Sequence, residues 1–162
     1  MKWINHKLCN ASIIYAMTGD LKTTLFSTIG AILPDALEIG GLIKHRTITH
    51  YPIVYIVPLV MILPNFKATF LMYAVFWCLV GCMLHLLLDA LSKGGIPFFR
   101  PFSDKKLAAN FYTTHHMSEF YLMGLICISF TLLGRANGFL VMNHITHQIV
   151  TVLYDFKRMF RG

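Results

Sequence analysis

The sequence predicts an all-α fold: a polytopic membrane helical bundle of about four to six helices, with its metal-ligand candidates on one face. Three observations predict it. The chain is 56% hydrophobic and only 13% charged, where soluble domains carry about 25% charged residues. Its mean hydropathy is +0.62. Two apolar runs, at 68–91 and 118–133, approach the roughly 20 residues that a spanning helix needs. At 162 residues the chain makes one domain, 1–162.

Taken in order, residues 7–17, 21–33 and 51–63 form three shorter apolar segments, expected as tilted or partly inserted helices. Pro52, Pro58 and Pro64 bend or bound the third. Thr18-Gly19-Asp20 is a turn between the first two. Segments 68–91 and 118–133 are the clearest spans, and 137–153 is a more amphipathic one. The stretches 38–47 and 92–114, with Gly40-Gly41, Gly94-Gly95, Pro97 and Pro101, are loops. The basic start carries no cleavable signal pattern, and the N-terminus is expected to be retained. Cys9, Cys78, Cys82 and Cys127 lie in apolar surroundings and form no CxxC pair, which suits small buried hydrophobes better than a disulfide scaffold.

The net charge is +7, from 14 Lys+Arg against 7 Asp+Glu. In so apolar a chain the anionic membrane surface is the expected partner for that charge. Nucleic acid is not expected. The aromatic-basic run Phe98-Phe99-Arg100-Pro101-Phe102 reads as a loop resting at the membrane interface. An up-and-down arrangement of six helices places 11 basic residues on the side of the N-terminus and three, Lys22, Lys67 and Arg135, on the other. The positive-inside rule then makes the first side cytoplasmic.

The same arrangement gathers the ionisable groups on that side. His85 and Asp89, four apart near the end of the most apolar helix, share a face. A carboxylate at membrane depth is costly and needs a partner, which a metal ion or a polar helix end would provide. His115 and Glu119 repeat the spacing, with His116 as a substitute ligand and helix-start chemistry as the alternative role. His45-Arg46-Thr47-Ile48-Thr49-His50 offers two histidines and a guanidinium fork for phosphate or carboxylate. Asp35 and Glu38 follow Pro34, and His6 stands near the start. His144 and His147 fall on the other side and are read as packing residues.

These residues carry a resemblance. Asn5-His6, Gly30-Ala-Ile-Leu-Pro-Asp35, His45-Arg-Thr-Ile-Thr-His50, Gly81-Cys-Met-Leu-His85-Leu-Leu-Leu-Asp89 and Gly95-Ile-Pro-Phe-Phe-Arg-Pro101 stand in order over about residues 5–103. In this the chain resembles the LexA-regulated inner-membrane family of bacteria named as metal-dependent hydrolases. That family often has an acidic residue where Leu37 stands here, with Glu38 next. The order Asp35, Thr49-His50, His85/Asp89, His115/Glu119 is also loosely similar to zinc-dependent phospholipases C.

The resemblance implies a membrane-bound hydrolase of the bacterial inner membrane, multi-pass, with its site facing the cytoplasm. His6, Asp35, His50, His85, Asp89, His115 and Glu119 are the expected metal ligands. Arg46, His45 and Glu38 are the candidate catalytic groups. The metal is a divalent ion, zinc first and manganese or iron next. The substrate class is a phosphate ester or an anionic, lipid-linked molecule at the membrane face. The alternative is a non-enzymatic metal-binding or regulatory membrane protein. A transporter is a poorer fit, because its site would lie near mid-membrane on broken helices.

Overall fold

A computed structural model describes residues 1–38 and 48–159, without the side chains of residues 158 and 159. Among these residues are seven α-helices: α1 Trp3–Thr18, α2 Leu21–Gly30, the single-turn α3 Leu33–Ala36, α4 Pro52–Ile62, α5 Phe70–Ala90, α6 Met117–Ala136 and α7 Met142–Met159. They contain no β-strand, only the isolated pairings Ser92–Tyr112 and Ile96–Leu107.

Local chemistry sets the boundaries. α1 stops because Gly19 takes a left-handed conformation, φ +63, while its N–H still reaches Tyr15 O at 2.8 Å. Asp20 then caps α2, accepting from the backbone N–H groups of Lys22 and Thr23 at 3.1 Å each. Pro52 opens α4 at a position where its missing donor costs nothing. Thr69 caps α5 through Met72 N. α5 and α6 are long and apolar enough to cross a membrane, with mean hydropathies of 2.2 and 1.6.

The helices pack in the order α6, α1, α2, α5, α4, each against the next. The closest crossing joins α2 to α5 through glycines. A Cβ added to Gly30 would stand 1.9 Å from Cys78 O, and one added to Gly81 would stand 1.9 Å from Ser27 O. The two thiols on this face of α5 fit the same seam: Cys78 Sγ donates to Phe26 O and Cys82 Sγ to Gly30 O, each at 3.2 Å. This bare-backbone contact is the small-residue packing that membrane helices favour.

One element departs from the sequence expectation. The last helix was expected to return across the bundle to the side of His6. Instead α7 lies at the far end. His144 Nε2 donates to Gly19 O at 2.7 Å, and Lys22 Nζ pairs with Asp155 Oδ2 at 2.7 Å. Both partners belong to the α1–α2 turn region, so both ends of α7 stay at that level. The reason is composition. Asn143, His144, His147, Gln148, Thr151 and Asp155 leave the helix too polar to cross. Lys157 therefore counts with Lys22, Lys67 and Arg135, and the side of His6 keeps a smaller majority of basic residues than the six-helix arrangement gave it.

Candidate metal centre

Four elements bring five side chains to one end of the bundle. His6 comes from the first turn of α1, Asp35 from α3, His50 from a 3₁₀ turn at Ile48–His50, and His85 and Asp89 from the last turns of α5. The α5–α6 loop closes this end: Ser92 Oγ donates to Asp89 O at 2.7 Å and Tyr112 Oη to Leu88 O at 3.1 Å. His50 and His85 are fully buried, His6 and Asp89 nearly so, and Asp35 is 12% exposed.

The nitrogen and oxygen atoms converge. His50 Nε2 and His85 Nε2 are 3.4 Å apart. Asp35 Oδ1 lies 3.5 Å from both. Asp89 Oδ2 lies 3.7 Å from His50 Nε2 and 3.8 Å from His85 Nε2. Ligands about 2.0–2.2 Å from one ion in a tetrahedral shell stand roughly 3.3–3.6 Å from one another. The other Asp89 oxygen, Oδ1, is 3.4 Å from His6 Nε2 and 3.1 Å from the amino group of Met1. Two groups result, His6–His85–Asp89 and Asp35–His50–His85, each offering one donor atom per residue within 4.8 Å of the others. Both groups could hold a metal ion.

Neighbouring groups fix the rings. His85 Nδ1 donates to Ala31 O at 2.8 Å, and His50 Nδ1 sits 2.9 Å from Glu38 Oε1. With Nδ1 engaged outward, each Nε2 faces inward and is the atom through which a metal would bind. Thr49 Oγ1 also donates to Glu38 Oε1, and Tyr55 Oη anchors the turn through Thr49 O at 2.7 Å. His6 stacks on His85, with ring centroids 3.8 Å apart. His6 Nδ1 is buried without a hydrogen-bond partner, and Nε2 has only the 3.4 Å approach of Asp89 Oδ1. Buried polar atoms are ordinarily satisfied, so an orphaned imidazole beside a carboxylate fits a ligand role.

The electrostatics match a cation site. Burial works to raise the Asp35 pKa, yet hydrogen bonds from His50 and His85 hold its carboxyl well below the usual carboxylate range. Burial works to lower the His50 pKa, but hydrogen bonds to Asp35 and Asp89 and the charge of Glu38 raise it to about 9. Three carboxylates around one imidazole thus hold a proton where a cation would otherwise sit.

Five of the seven expected ligands meet here: His6, Asp35, His50, His85 and Asp89. Glu119 and His115 do not join them. Glu119 is buried, but Lys2 N and Asn5 Nδ2 donate to its Oε1 and His115 N donates to its Oε2. It clasps the start of α1 to the start of α6. His115 offers its backbone N–H rather than its ring, and His116 caps α6 through Ser118 N. Glu38, a candidate catalytic group, stands behind His50 as its orienting partner. His45 and Arg46 lie outside the described residues. Of the expected packing residues, His144 packs near Phe139 and bonds to Gly19 O.

Sequence reasoning missed two contributors, the Ala31 carbonyl and Asn5, and read a third, Thr49, only as a cap or an orienting group for His50. The Ala31 carbonyl is backbone and leaves no mark in sequence. Thr49 had been seen beside His50, but its link to Glu38 crosses the loop. Asn5 was visible only as the neighbour of His6, and its bond to Glu119 spans 114 positions.

No curated protein and no solved structure matches the chain. The profile of the YdjM inner membrane protein family matches residues 1–157. With two helices apolar enough to span a bilayer and a helical bundle around them, the chain belongs to the YdjM inner membrane protein family.

Proposed function

We propose that this protein is a multi-pass, membrane-bound, metal-dependent hydrolase acting on a phosphate ester or a lipid-linked substrate at the cytoplasmic face of the inner membrane. The observation that carries the proposal is the convergence of His50 Nε2, His85 Nε2, Asp35 Oδ1 and Asp89 Oδ2, with separations of 3.4–3.8 Å. Asp35, His50, His85 and Asp89 would hold a divalent ion, zinc first and manganese or iron next, and His6 would serve the Asp89 side of the cluster. Such an ion supplies Lewis acidity and a hydroxide source near neutral pH.

The protein's own groups prepare that chemistry. Glu38 and the Ala31 carbonyl fix the two imidazoles in the tautomer that ligates. Arg46 and His45, from the adjoining HRxxTH segment, would bind the anionic group and stabilise developing charge. Asp35, the least buried of the cluster, marks the side from which a substrate would approach. The majority of basic residues near His6 supports a cytoplasmic orientation.

The second reading, a metal-binding or regulatory protein without turnover, draws on one observation. His6, His50, His85 and Asp89 are all at most 2% exposed, and closed sites are the structural kind. One experiment separates the readings. Metal content is measured on detergent-purified protein, wild type beside His85→Ala and Asp89→Asn, followed by turnover of phosphorylated lipids with added metal. Bound metal that both variants lose, with turnover, supports the hydrolase; bound metal without turnover on any phosphate ester supports the second reading. Equally folded proteins that never bind metal would remove both.

A further inference from the structure

We infer that α7 is a membrane-surface helix, lying in the plane of the bilayer interface at the end of the bundle opposite the His/Asp cluster. The first support is its direction. From His144 to Asp155 the helix advances about 16 Å. Were it to run alongside α2, Asp155 would sit near the α2 C-terminus. It sits instead at Lys22, in the first turn of α2, while His144 holds Gly19 one turn away. The helix axis therefore lies across the bundle.

The second support is which face is left open. The residues half-buried against the bundle are His144, Ile145, Gln148, Val152 and Asp155, a mostly polar edge. The apolar stripe at helical spacing touches the bundle only at its Ile145 and Val152 edge and is otherwise open: Met142 is 74% exposed, Ile149 47%, Leu153 64% and Phe156 56%. A soluble helix reverses this arrangement and buries its apolar stripe. Asn143, His147 and Thr151 occupy the opposite, exposed side.

The occupant follows from level. α6, an apolar span, ends at Ala136, and residues 137–141 turn directly into α7. Phe139 O accepts from Tyr15 Oη at 2.8 Å and Asn137 Nδ2 donates to Ala16 O at 3.2 Å, which pins that turn to the end of α1. α7 thus begins where the span leaves the hydrocarbon. An apolar stripe at that depth meets acyl chains and glycerol backbones, while exposed Lys157 stands at headgroup level near the Lys22–Asp155 pair. A bilayer containing anionic phospholipid is the partner this face fits.

The test places single tryptophans in the full chain, in a Trp3→Phe/Trp77→Phe background and also with wild type as the baseline. Ile149→Trp and Leu153→Trp are compared with His147→Trp and Thr151→Trp. Proteins are reconstituted into phosphatidylcholine–phosphatidylglycerol vesicles carrying lipids brominated near the glycerol end of the chain. Quenching at 149 and 153 at least twofold stronger than at 147 and 151 is the expected result. Equal quenching at all four positions would overturn the inference. So would protection of 149 and 153 in a protein that cross-links as a dimer, because a second copy would then cover the stripe.

Discussion

Adding one methyl group at Gly30 should disturb a cluster two turns away. A Cβ there would stand 1.9 Å from Cys78 O, and its reciprocal at Gly81 would stand 1.9 Å from Ser27 O. Ordinary contact begins near 3.4 Å, so α2 and α5 must part by about 1.5 Å or bend. Asp35 follows α2 in the chain, and Ala31 at its end holds His85 Nδ1; His85 and Asp89 ride on α5. A displacement of that size is large against ligand separations of 3.4–3.8 Å. Overpacking of this kind costs about 1–3 kcal/mol, or roughly 2–12 °C in melting midpoint for a chain of this length. Gly30→Ala and Gly81→Ala should each lower the midpoint in detergent and reduce retained metal. Two glycines supply controls. At Gly134 the nearest atom would be 3.5 Å away, and at Gly124 nothing lies within 4 Å. Gly134→Ala and Gly124→Ala should therefore leave both readouts unchanged or slightly raise stability by favouring helix. Unchanged midpoint and metal content in Gly30→Ala would refute the glycine seam as the support of the cluster.

Other outcomes follow from the same geometry. Glu38→Gln should weaken metal retention by about 10–100-fold without abolishing it, because the group orients His50 rather than binding the ion; competition with a fluorescent zinc chelator reads this directly. Glu119→Ala should keep its metal yet melt at lower temperature, since Lys2 N, Asn5 Nδ2 and His115 N lose their acceptor. A variant that loses metal at unchanged stability would restore Glu119 as a ligand. Metal-stripped protein should show a pH-dependent midpoint. The His50 pKa is raised from 6.5 to about 9, so its stabilisation is complete below pH 6.5 and is lost as pH rises through 9. Reloading with zinc, or His50→Ala, should flatten that slope in thermal scans.

Much of this was legible because it is local. Gly19 and Asp20 announced the α1–α2 turn, and the run before Asp89 announced α5. The i to i+4 rule worked for His85 and Asp89 because both lie inside one helix. It misled at His115 and Glu119 because α6 starts at Met117. His115 then lies before the helix, at φ +64, and turns its amide toward the carboxylate. The direction of α7 was hidden for a related reason. Its amphipathic pattern fits a helix that crosses and a helix that lies flat, and only its distant contacts with Gly19 and Lys22 distinguish them.

The flat placement of α7 changes the parity of the chain. α1 carries the chain from the His/Asp cluster to the end where α7 lies, α5 comes back to the cluster, α6 leaves it again, and α7 adds no return. With no return along α7, Trp3 and Asp155 stand at opposite ends of α1. On the proposed multi-pass reading, a reporter joined after α7 would sample the compartment facing away from the His/Asp cluster, whereas one inserted in the α5–α6 loop would sample the compartment that the cluster faces.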